Sequence, residues 1–129
     1  MKKQRKILII EDENNLRTAI VDVLHTEKFA TLEAKNGKEG VKLALREHPD
    51  LILLDLLMPE MDGMTAFEKI RQDSWWAKVP VIILTNINPS DEKLVQDVIA
   101  YEPLFYLIKS DWKLHDIAQK IKELLQEKV

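Results

Sequence analysis

Five short apolar segments alternate along this chain with segments whose apolar residues recur every three or four positions. The apolar segments span Lys6–Ile10, Ala30–Ala34, Leu51–Leu54, 80–84 and 104–108. Short apolar runs predict buried strands, and the three- to four-residue spacing predicts amphipathic helices. Strict alternation of the two predicts a parallel sheet with helices on both faces. Right-handed crossovers and one reversal of winding then give the strand order 2-1-3-4-5.

A predicted helix follows each predicted strand. We expect these helices over 14–28, from a cap at Asn36 to Glu47, over Gly63–Gln72, after a cap at Ser90 and after a cap at Asp111. Asn36 and Glu39 resemble the two ends of a capping box. Ala30–Ala34 is the weakest strand, and we expect it at an edge. The predicted fold is a doubly wound, five-stranded α/β sheet of the flavodoxin-like (βα)5 type, in one domain of 129 residues.

The composition argues against several classes of function. The net charge is −3, which gives no electrostatic basis for direct binding to nucleic acid. Cysteine is absent, which excludes disulfides, thiol catalysis and cysteine-based metal sites. Neither a signal peptide nor an apolar run of membrane-spanning length is visible. We therefore expect a cytoplasmic protein that does not contact the membrane.

Four of the five predicted strands end in residues suited to metal or phosphate chemistry. The first strand leads into Glu11 and Asp12, the third into Asp55, the fourth into Thr85 and the fifth into Lys109. Ligands of open α/β sheets bind beyond the carboxyl ends of the strands, so we expect these side chains to form one site. The alternative, that they are solvated loop charges, requires four coincidences and is disfavoured.

These residue types favour phosphoryl chemistry that depends on Mg²⁺. Three clustered carboxylates repel one another, and a hard divalent cation relieves that repulsion while bridging to phosphate oxygens. Asp55 lies at the centre and is a candidate carboxylate nucleophile. Lys109 can offset charge on the oxygens of a transferred phosphoryl group, and the Thr85 hydroxyl can donate a hydrogen bond to one of them.

Four segments together resemble the receiver domain of response regulators over nearly the whole chain. They are IIEDE (9–13), LLDLLMPEMDG (53–63), PVIILT (80–85) and YLIK (106–109). The resemblance implies that Asp55 accepts a phosphoryl group from a phosphohistidine of a histidine kinase or phosphotransfer protein. It also implies that Mg²⁺ is held by Glu11, Asp12, Asp55 and the backbone carbonyl of Leu57.

The resemblance further implies a conformational switch. Thr85 and Lys109 are expected to contact the phosphoryl group, and Tyr106 is expected to follow the threonine inward. In the family this movement reshapes the face formed by the fourth helix, the fifth strand and the fifth helix. We expect a downstream protein partner at that face, a monomer or weak dimer, and no enzymatic activity beyond the chain's own phosphorylation and slow dephosphorylation.

Three positions depart from the family pattern. Ser110 follows Lys109 where a proline in a cis bond is usual, Asn86 replaces a small residue, and Glu102-Pro103 stands near the place of a Gly-Ala pair. A cis peptide before a residue other than proline costs about 3 kcal/mol. We therefore expect a trans peptide at this bond and a rearranged loop after the fifth strand. None of the departures removes a group that phosphoryl transfer needs.

Two further positions bear on the lifetime of the phosphorylated state. Leu57 and Ile87 stand two residues beyond Asp55 and Thr85. In the family, the side chains at these two positions face the phosphoryl group. Neither can orient a hydrolytic water through a hydrogen bond, and both are bulky. We therefore predict slow self-dephosphorylation. The alternative is that both side chains point into solvent and have no effect on the rate.

Two other functions compete with the receiver interpretation. A pseudo-receiver would bind its partner without phosphorylation, but Asp55, Thr85 and Lys109 are all present. A phosphatase or a flavin protein is disfavoured, because Leu57 occupies the second position of an Asp-x-Asp motif and no phosphate loop follows the first strand. The chain ends soon after the fifth helix, so we expect either a stand-alone receiver or one excised from a longer protein.

Overall fold

A parallel five-stranded sheet forms the centre of the protein. The computed structural model describes residues 4–56, 63–73, 79–85, 96, 99–100, 103 and 105–126. The strands are β1 (Lys6–Ile10), β2 (Ala30–Ala34), β3 (Leu51–Leu54), β4 (Val81–Thr85) and β5 (Phe105–Ile108). Their order is β2-β1-β3-β4-β5 and every neighbouring pair is parallel, which confirms the predicted fold and places β2 at an edge.

Helices pack on both faces of this sheet. They are α1 (Asn14–Thr26), α2 (Gly37–Glu47), α3 (Gly63–Gln72) and a last helix (Leu114–Gln126), which follows a 3₁₀ turn at Lys109–Asp111. The predicted cap of α2 is confirmed, since Asn36 Oδ1 accepts a hydrogen bond from the Glu39 N–H at 2.8 Å. α2 ends at His48, whose φ of 51° is left-handed, immediately before Pro49.

Several predicted boundaries were wrong. α1 ends at Thr26 rather than at residue 28, because Lys28 has a left-handed φ of 67° and cannot continue the helix. Asp111 does not cap the last helix, because it lies in the 3₁₀ turn and the helix begins at Leu114. β4 is shifted by one residue from the predicted 80–84, since Thr85 still pairs with Ile108 of β5. β5 is described from Phe105 onward, and residue 104 lies outside the described residues.

The helix predicted after Ser90 falls mostly outside the described residues. Gln96, Ile99 and Ala100 are described and are helical, and Ile99 is exposed. Among the described residues, no helix is both long enough and apolar enough to cross a membrane.

The alternation of side chains along the strands divides the core into two layers. Ile7 and Ile9 of β1 pack with residues of α1 and the last helix, whereas Leu8 and Ile10 pack with residues of α2 and α3. β3 and β4 are likewise buried throughout, which explains why they are continuous apolar runs rather than alternating ones. The polar residues at the carboxyl ends of these strands therefore emerge at one edge of a rigid sheet.

Candidate functional site

Glu11, Asp12 and Asp55 meet at the carboxyl edge of the sheet. Ile10 of β1 pairs with Leu54 of β3, so the residues that follow them leave the sheet side by side. The Asp55 N–H donates to the Ile10 carbonyl at 3.0 Å, which extends this pairing by one residue. Carboxylate oxygens of all three acidic residues lie within 4.8 Å of one another. The predicted cluster is thus present, with Glu11 and Asp55 buried and Asp12 exposed.

Lys109 places its ammonium group between the two buried carboxylates. Its Nζ lies 2.6 Å from Glu11 Oε1, and it donates a hydrogen bond to Asp55 Oδ2 at 3.1 Å. Lys109 follows the edge strand β5, and only its long side chain brings the charge across to the ends of β1 and β3. Because the lysine side chain is itself mostly buried, these contacts are screened less by solvent than those of a surface ion pair.

The pKa values of Glu11 and Lys109 are both raised. Burial raises the pKa of Glu11 from 4.5 to about 7, against the opposing effects of Lys109 and of the Glu13 N–H, and the charge of Asp55 adds to the rise. Burial alone would lower the pKa of Lys109, but the contacts with Glu11 and Asp55 outweigh it and raise that pKa. At neutral pH Lys109 is therefore charged, while Glu11 lies near the midpoint of its titration.

Thr85 and Tyr106 lie on the same face of the sheet. Ile83 of β4 pairs with Tyr106 of β5, and Thr85 stands two residues beyond Ile83. Side chains two residues apart in a strand share a face, so the threonine and the tyrosine lie on the side that faces α2 and α3. Thr85 is fully buried and Tyr106 is partly buried. The fold thus brings both predicted switch residues to one face of the neighbouring strands β4 and β5, with Thr85 at the carboxyl end of β4.

The bond after Lys109 has the geometry predicted from the sequence. The peptide between Lys109 and Ser110 is trans, as are all peptide bonds among the described residues. The chain then forms the 3₁₀ turn Lys109–Asp111 instead of entering a helix directly.

Several residues whose side chains or backbone the sequence singles out lie outside the described residues. They are Leu57, Asn86, Ile87 and Glu102. The proposed metal ligand at the Leu57 carbonyl and the proposed effect of Leu57 and Ile87 on hydrolysis therefore remain predictions from the sequence.

Gly63 is a residue of the site whose role the sequence did not reveal. It begins α3 directly against the chain that leaves β3, and its N–H donates to the Leu56 carbonyl at 2.9 Å. A Cβ atom at this position would overlap the carbonyl oxygen of Asp55 and the Cα of Leu56. The sequence predicts that a helix begins at Gly63 but not this contact, because the close approach depends on where α3 packs. The glycine therefore lets α3 begin in direct contact with the backbone of Asp55 and Leu56.

The donor set suits a hard divalent cation. All three side chains offer carboxylate oxygens, which Mg²⁺ prefers. Within the described residues, the buried Glu11 Oε1 accepts no well-aligned hydrogen bond, although Lys109 Nζ is close. Lys109 thus offsets the charge of this oxygen without giving it an aligned hydrogen bond, and a bound cation would supply the missing interaction. The residues present therefore fit the Mg²⁺ that the sequence predicts.

The chain matches the model of one protein family over residues 7–122, the response regulator receiver domain. A curated relative from Bacillus subtilis, the probable C4-dicarboxylate response regulator DctR, is 30% identical over 98% of this chain and 55% of its own length. The chain spans about a third of the length of other curated relatives that it matches.

Solved structures with the same fold agree with this match. A CheY-like response regulator receiver domain protein from Methanospirillum hungatei has a TM-score of 0.87 at 23% identity, over 97% of this chain and 96% of that one. The Mn²⁺-bound form of the response regulator Rcp1 has a TM-score of 0.82 at 26% identity, over 97% and 96% of the two chains.

Proposed function

The chain belongs to the response regulator receiver domain family, and we propose that it works as a phosphoacceptor in a two-component system. Asp55 is the acceptor in this proposal, and a histidine kinase or a phosphotransfer protein is the donor. The observation that carries the proposal is the placement of the Asp55 carboxylate. It is buried at the end of a central strand, accepts a hydrogen bond from Lys109 at 3.1 Å and has the carboxylates of Glu11 and Asp12 beside it.

The transfer is a displacement at phosphorus. A carboxylate oxygen of Asp55 attacks the phosphorus of a phosphohistidine, and an O–P bond forms as the P–N bond breaks. The electron pair of the broken bond remains on the imidazole nitrogen of the donor. The product is an acyl phosphate on Asp55. The Lys109 ammonium, already within hydrogen-bond distance of Asp55, offsets negative charge on the transferred oxygens.

We assign the metal to the acidic cluster. Glu11, Asp12 and Asp55 hold Mg²⁺, together with the backbone carbonyl of Leu57. When bound, the cation offsets the charge of the phosphoryl oxygens and of the carboxylates that face them. The similar structure of Rcp1 contains Mn²⁺, a cation with a comparable preference for oxygen ligands.

Thr85 and Tyr106 transmit the change to the surface in this proposal. The Thr85 hydroxyl donates a hydrogen bond to a phosphoryl oxygen, and Tyr106 on the neighbouring strand moves with it. Their shared face and paired strands support this coupling. The readout is the face formed by the predicted fourth helix, β5 and the last helix, where a downstream protein partner binds. The chain acts as a cytoplasmic monomer or weak dimer and catalyses no reaction beyond its own phosphorylation and slow dephosphorylation.

Labelling with a small phosphodonor tests the proposal. Acetyl phosphate and Mg²⁺ should add one phosphoryl group to the purified protein, as measured by intact mass. Asp55→Asn should abolish the addition, because an amide is not an effective nucleophile here. Asp22→Asn is the matched control, since Asp22 is exposed on α1 away from the cluster, and it should be labelled like the wild type.

Two outcomes would count against phosphorylation of Asp55. Labelling of Asp55→Asn at the rate of the wild type would place the acceptor elsewhere. Absence of labelling in the wild type would favour the pseudo-receiver, whose partner binds the unmodified chain.

A further inference from the structure

The side chain of Arg17 contacts three separate groups beside the acidic cluster. Its Nη1 donates to the backbone carbonyl of Glu11 at 2.7 Å, and its Nη2 donates to Asn14 Oδ1 at 2.6 Å. Its Nε donates to Glu33 Oε1 at 3.3 Å, in an ion pair. The arginine side chain is 13% exposed. All three guanidinium nitrogens are thus engaged, and the planar group fixes the relative positions of its acceptors.

The hydrogen bond from Arg17 to the Glu11 carbonyl holds the backbone between two members of the acidic cluster, Glu11 and Asp12. Glu11 itself is held by several other groups, since its N–H donates to Ala34 O at 3.0 Å and its Oε2 accepts from the Glu13 N–H at 3.1 Å. Asp12 is different. Its side chain is exposed and makes no hydrogen bond or ion pair with the described residues. With no such contact among the described residues, the position of the Asp12 carboxylate depends on the backbone that carries it, and the peptide that precedes Asp12 contains the Glu11 carbonyl.

We propose that Arg17 is a positioning residue of the metal site. By holding the peptide between Glu11 and Asp12, it keeps the Asp12 carboxylate within reach of the other two. Because Arg17 lies in the first turn of α1 and Glu33 in the edge strand β2, the guanidinium ties the turn after β1 to both elements. The inference rests on the proposed function, since it concerns the affinity of the same Mg²⁺ site.

Titration calorimetry of the metal-free protein with Mg²⁺ tests this role without relying on phosphorylation. Loss of a group that orients a metal ligand typically lowers affinity about 10- to 100-fold. We therefore expect Arg17→Ala to bind Mg²⁺ at least about tenfold more weakly than the wild type. Glu33→Gln keeps the contacts with Glu11 and Asn14 and removes only a half-exposed ion pair, so its affinity should change by less than about threefold.

Arg71→Ala is the matched control for a general loss of stability. Arg71 is also a partly buried arginine whose Nη1 donates to a backbone carbonyl, that of Val79, at 2.8 Å. Val79 precedes β4, so this contact lies at the amino edge of the sheet, opposite the cluster. Arg71→Ala should lower the melting temperature without Mg²⁺ and leave the Mg²⁺ affinity within about twofold of the wild type.

The possible results separate the two proposals. Failure of the wild type to bind Mg²⁺ would overturn the metal site and the role of Arg17 together. Binding by the wild type with an unchanged affinity in Arg17→Ala would overturn the role of Arg17 alone. An equal loss in Arg71→Ala would show that loosening of the fold is enough, and an equal loss in Glu33→Gln would exclude the Glu11 carbonyl as the route.

A second substitution covers the case in which Arg17→Ala does not fold. Arg17→Lys keeps the positive charge, but a single ammonium cannot reach the acceptors on Glu11, Asn14 and Glu33 together. We expect this variant to bind Mg²⁺ at least about threefold more weakly than the wild type. Wild-type affinity in Arg17→Lys would overturn the proposal, because charge alone would then suffice.

Discussion

The ammonium group of Lys109 lies 2.6 Å from Glu11 Oε1, closer than to the nearest oxygen of Asp55. One lysine therefore neutralises both a proposed metal ligand and the proposed phosphoacceptor in the metal-free protein. A cation that binds at Glu11 competes with this ammonium for the same carboxylate. The free energy of metal binding is therefore coupled to that of the ion pairs that Lys109 makes with Glu11 and Asp55.

Lys109→Ala should increase the stabilisation that Mg²⁺ provides. Without the ammonium, two buried carboxylates lose their cation, and the metal-free variant should lose about 1–3 kcal/mol of unfolding free energy. Mg²⁺ then binds Glu11 without a competitor, so its effect on stability should exceed that in the wild type. Urea unfolding with and without Mg²⁺ measures both quantities.

Lys122→Ala is the control for this experiment. Lys122 of the last helix pairs at 3.3 Å with Glu27, which follows α1, away from the cluster. Its loss should leave the effect of Mg²⁺ unchanged. A smaller effect of Mg²⁺ in Lys109→Ala than in the wild type would contradict the competition.

Asp12→Ala should abolish the rise in melting temperature that Mg²⁺ produces in the wild type. The cation relieves the repulsion among the three carboxylates, and a concentration 100-fold above its dissociation constant adds about 2.7 kcal/mol of stability. Scanning calorimetry measures the rise. Glu13→Gln alters an exposed neighbour outside the cluster and should keep it. An equal rise in Asp12→Ala and in the wild type would remove Asp12 from the metal site.

The raised pKa of Glu11 predicts that the metal-free protein loses stability as the pH rises. The group titrates near 4.5 in the unfolded chain and at about 7 in the folded protein, where it is buried. The folded state therefore binds the proton more tightly. The resulting stabilisation is complete below pH 4.5 and is lost as the pH passes through 7. Urea unfolding across this range should show the decline, and Glu11→Gln should flatten it.

The same proton should compete with Mg²⁺. A protonated Glu11 cannot serve as a ligand, so the Mg²⁺ affinity should fall by about tenfold per pH unit below the pKa. Calorimetric titrations at several pH values between 4.5 and about 7, the pKa values of Glu11 in the unfolded and folded protein, measure this slope. An affinity that does not change over that range would show that Glu11 is not a ligand or is already ionised there.

Gly63→Ala should slow phosphorylation by about tenfold or more. The added methyl group meets the backbone of Asp55 and Leu56, which cannot rotate away, so the acceptor carboxylate must shift. Overpacking of this kind also costs about 1–3 kcal/mol of stability. Labelling by acetyl phosphate and urea unfolding measure the two effects.

Gly40→Ala provides a matched control for that substitution. Its added methyl group would meet side-chain atoms of Ile10, in the core between α2 and β1, and not the backbone of the site. It should destabilise the protein to a similar extent while leaving the phosphorylation rate within about twofold of the wild type. Equal slowing in both variants would attribute the effect of Gly63→Ala to stability alone.

The phosphorylated protein should dephosphorylate slowly by itself, because Leu57 and Ile87 offer no hydrogen bond to a hydrolytic water. The double variant Leu57→Asn with Ile87→Glu supplies such groups and should shorten the lifetime. The decay of purified phosphorylated protein in the presence of Mg²⁺ measures the effect. Equal decay in the double variant and the wild type would indicate that neither side chain controls hydrolysis.

The strand order and the membership of the acidic cluster follow from the sequence alone. Apolar runs as uniform as Leu51–Leu54, in alternation with amphipathic helices, are typical of strands buried on both faces, and parallel strands carry the residues that follow them to one edge. That geometry is enough to bring together Glu11, Asp12 and Asp55, as predicted. Local chemistry also identified the cap at Asn36 and the trans peptide after Lys109.

Tertiary packing decided the rest, because it depends on contacts between residues distant in the chain. Lys109 and Asp55 are 54 residues apart, and the preference of the lysine for Glu11 becomes visible only once β5 is in place. The glycine at position 63 acquires its role when α3 packs against the end of β3. Arg17 is an ordinary helix residue in the sequence, and only the packing of α1 beside β2 brings its guanidinium to Glu33 and to the Glu11 carbonyl.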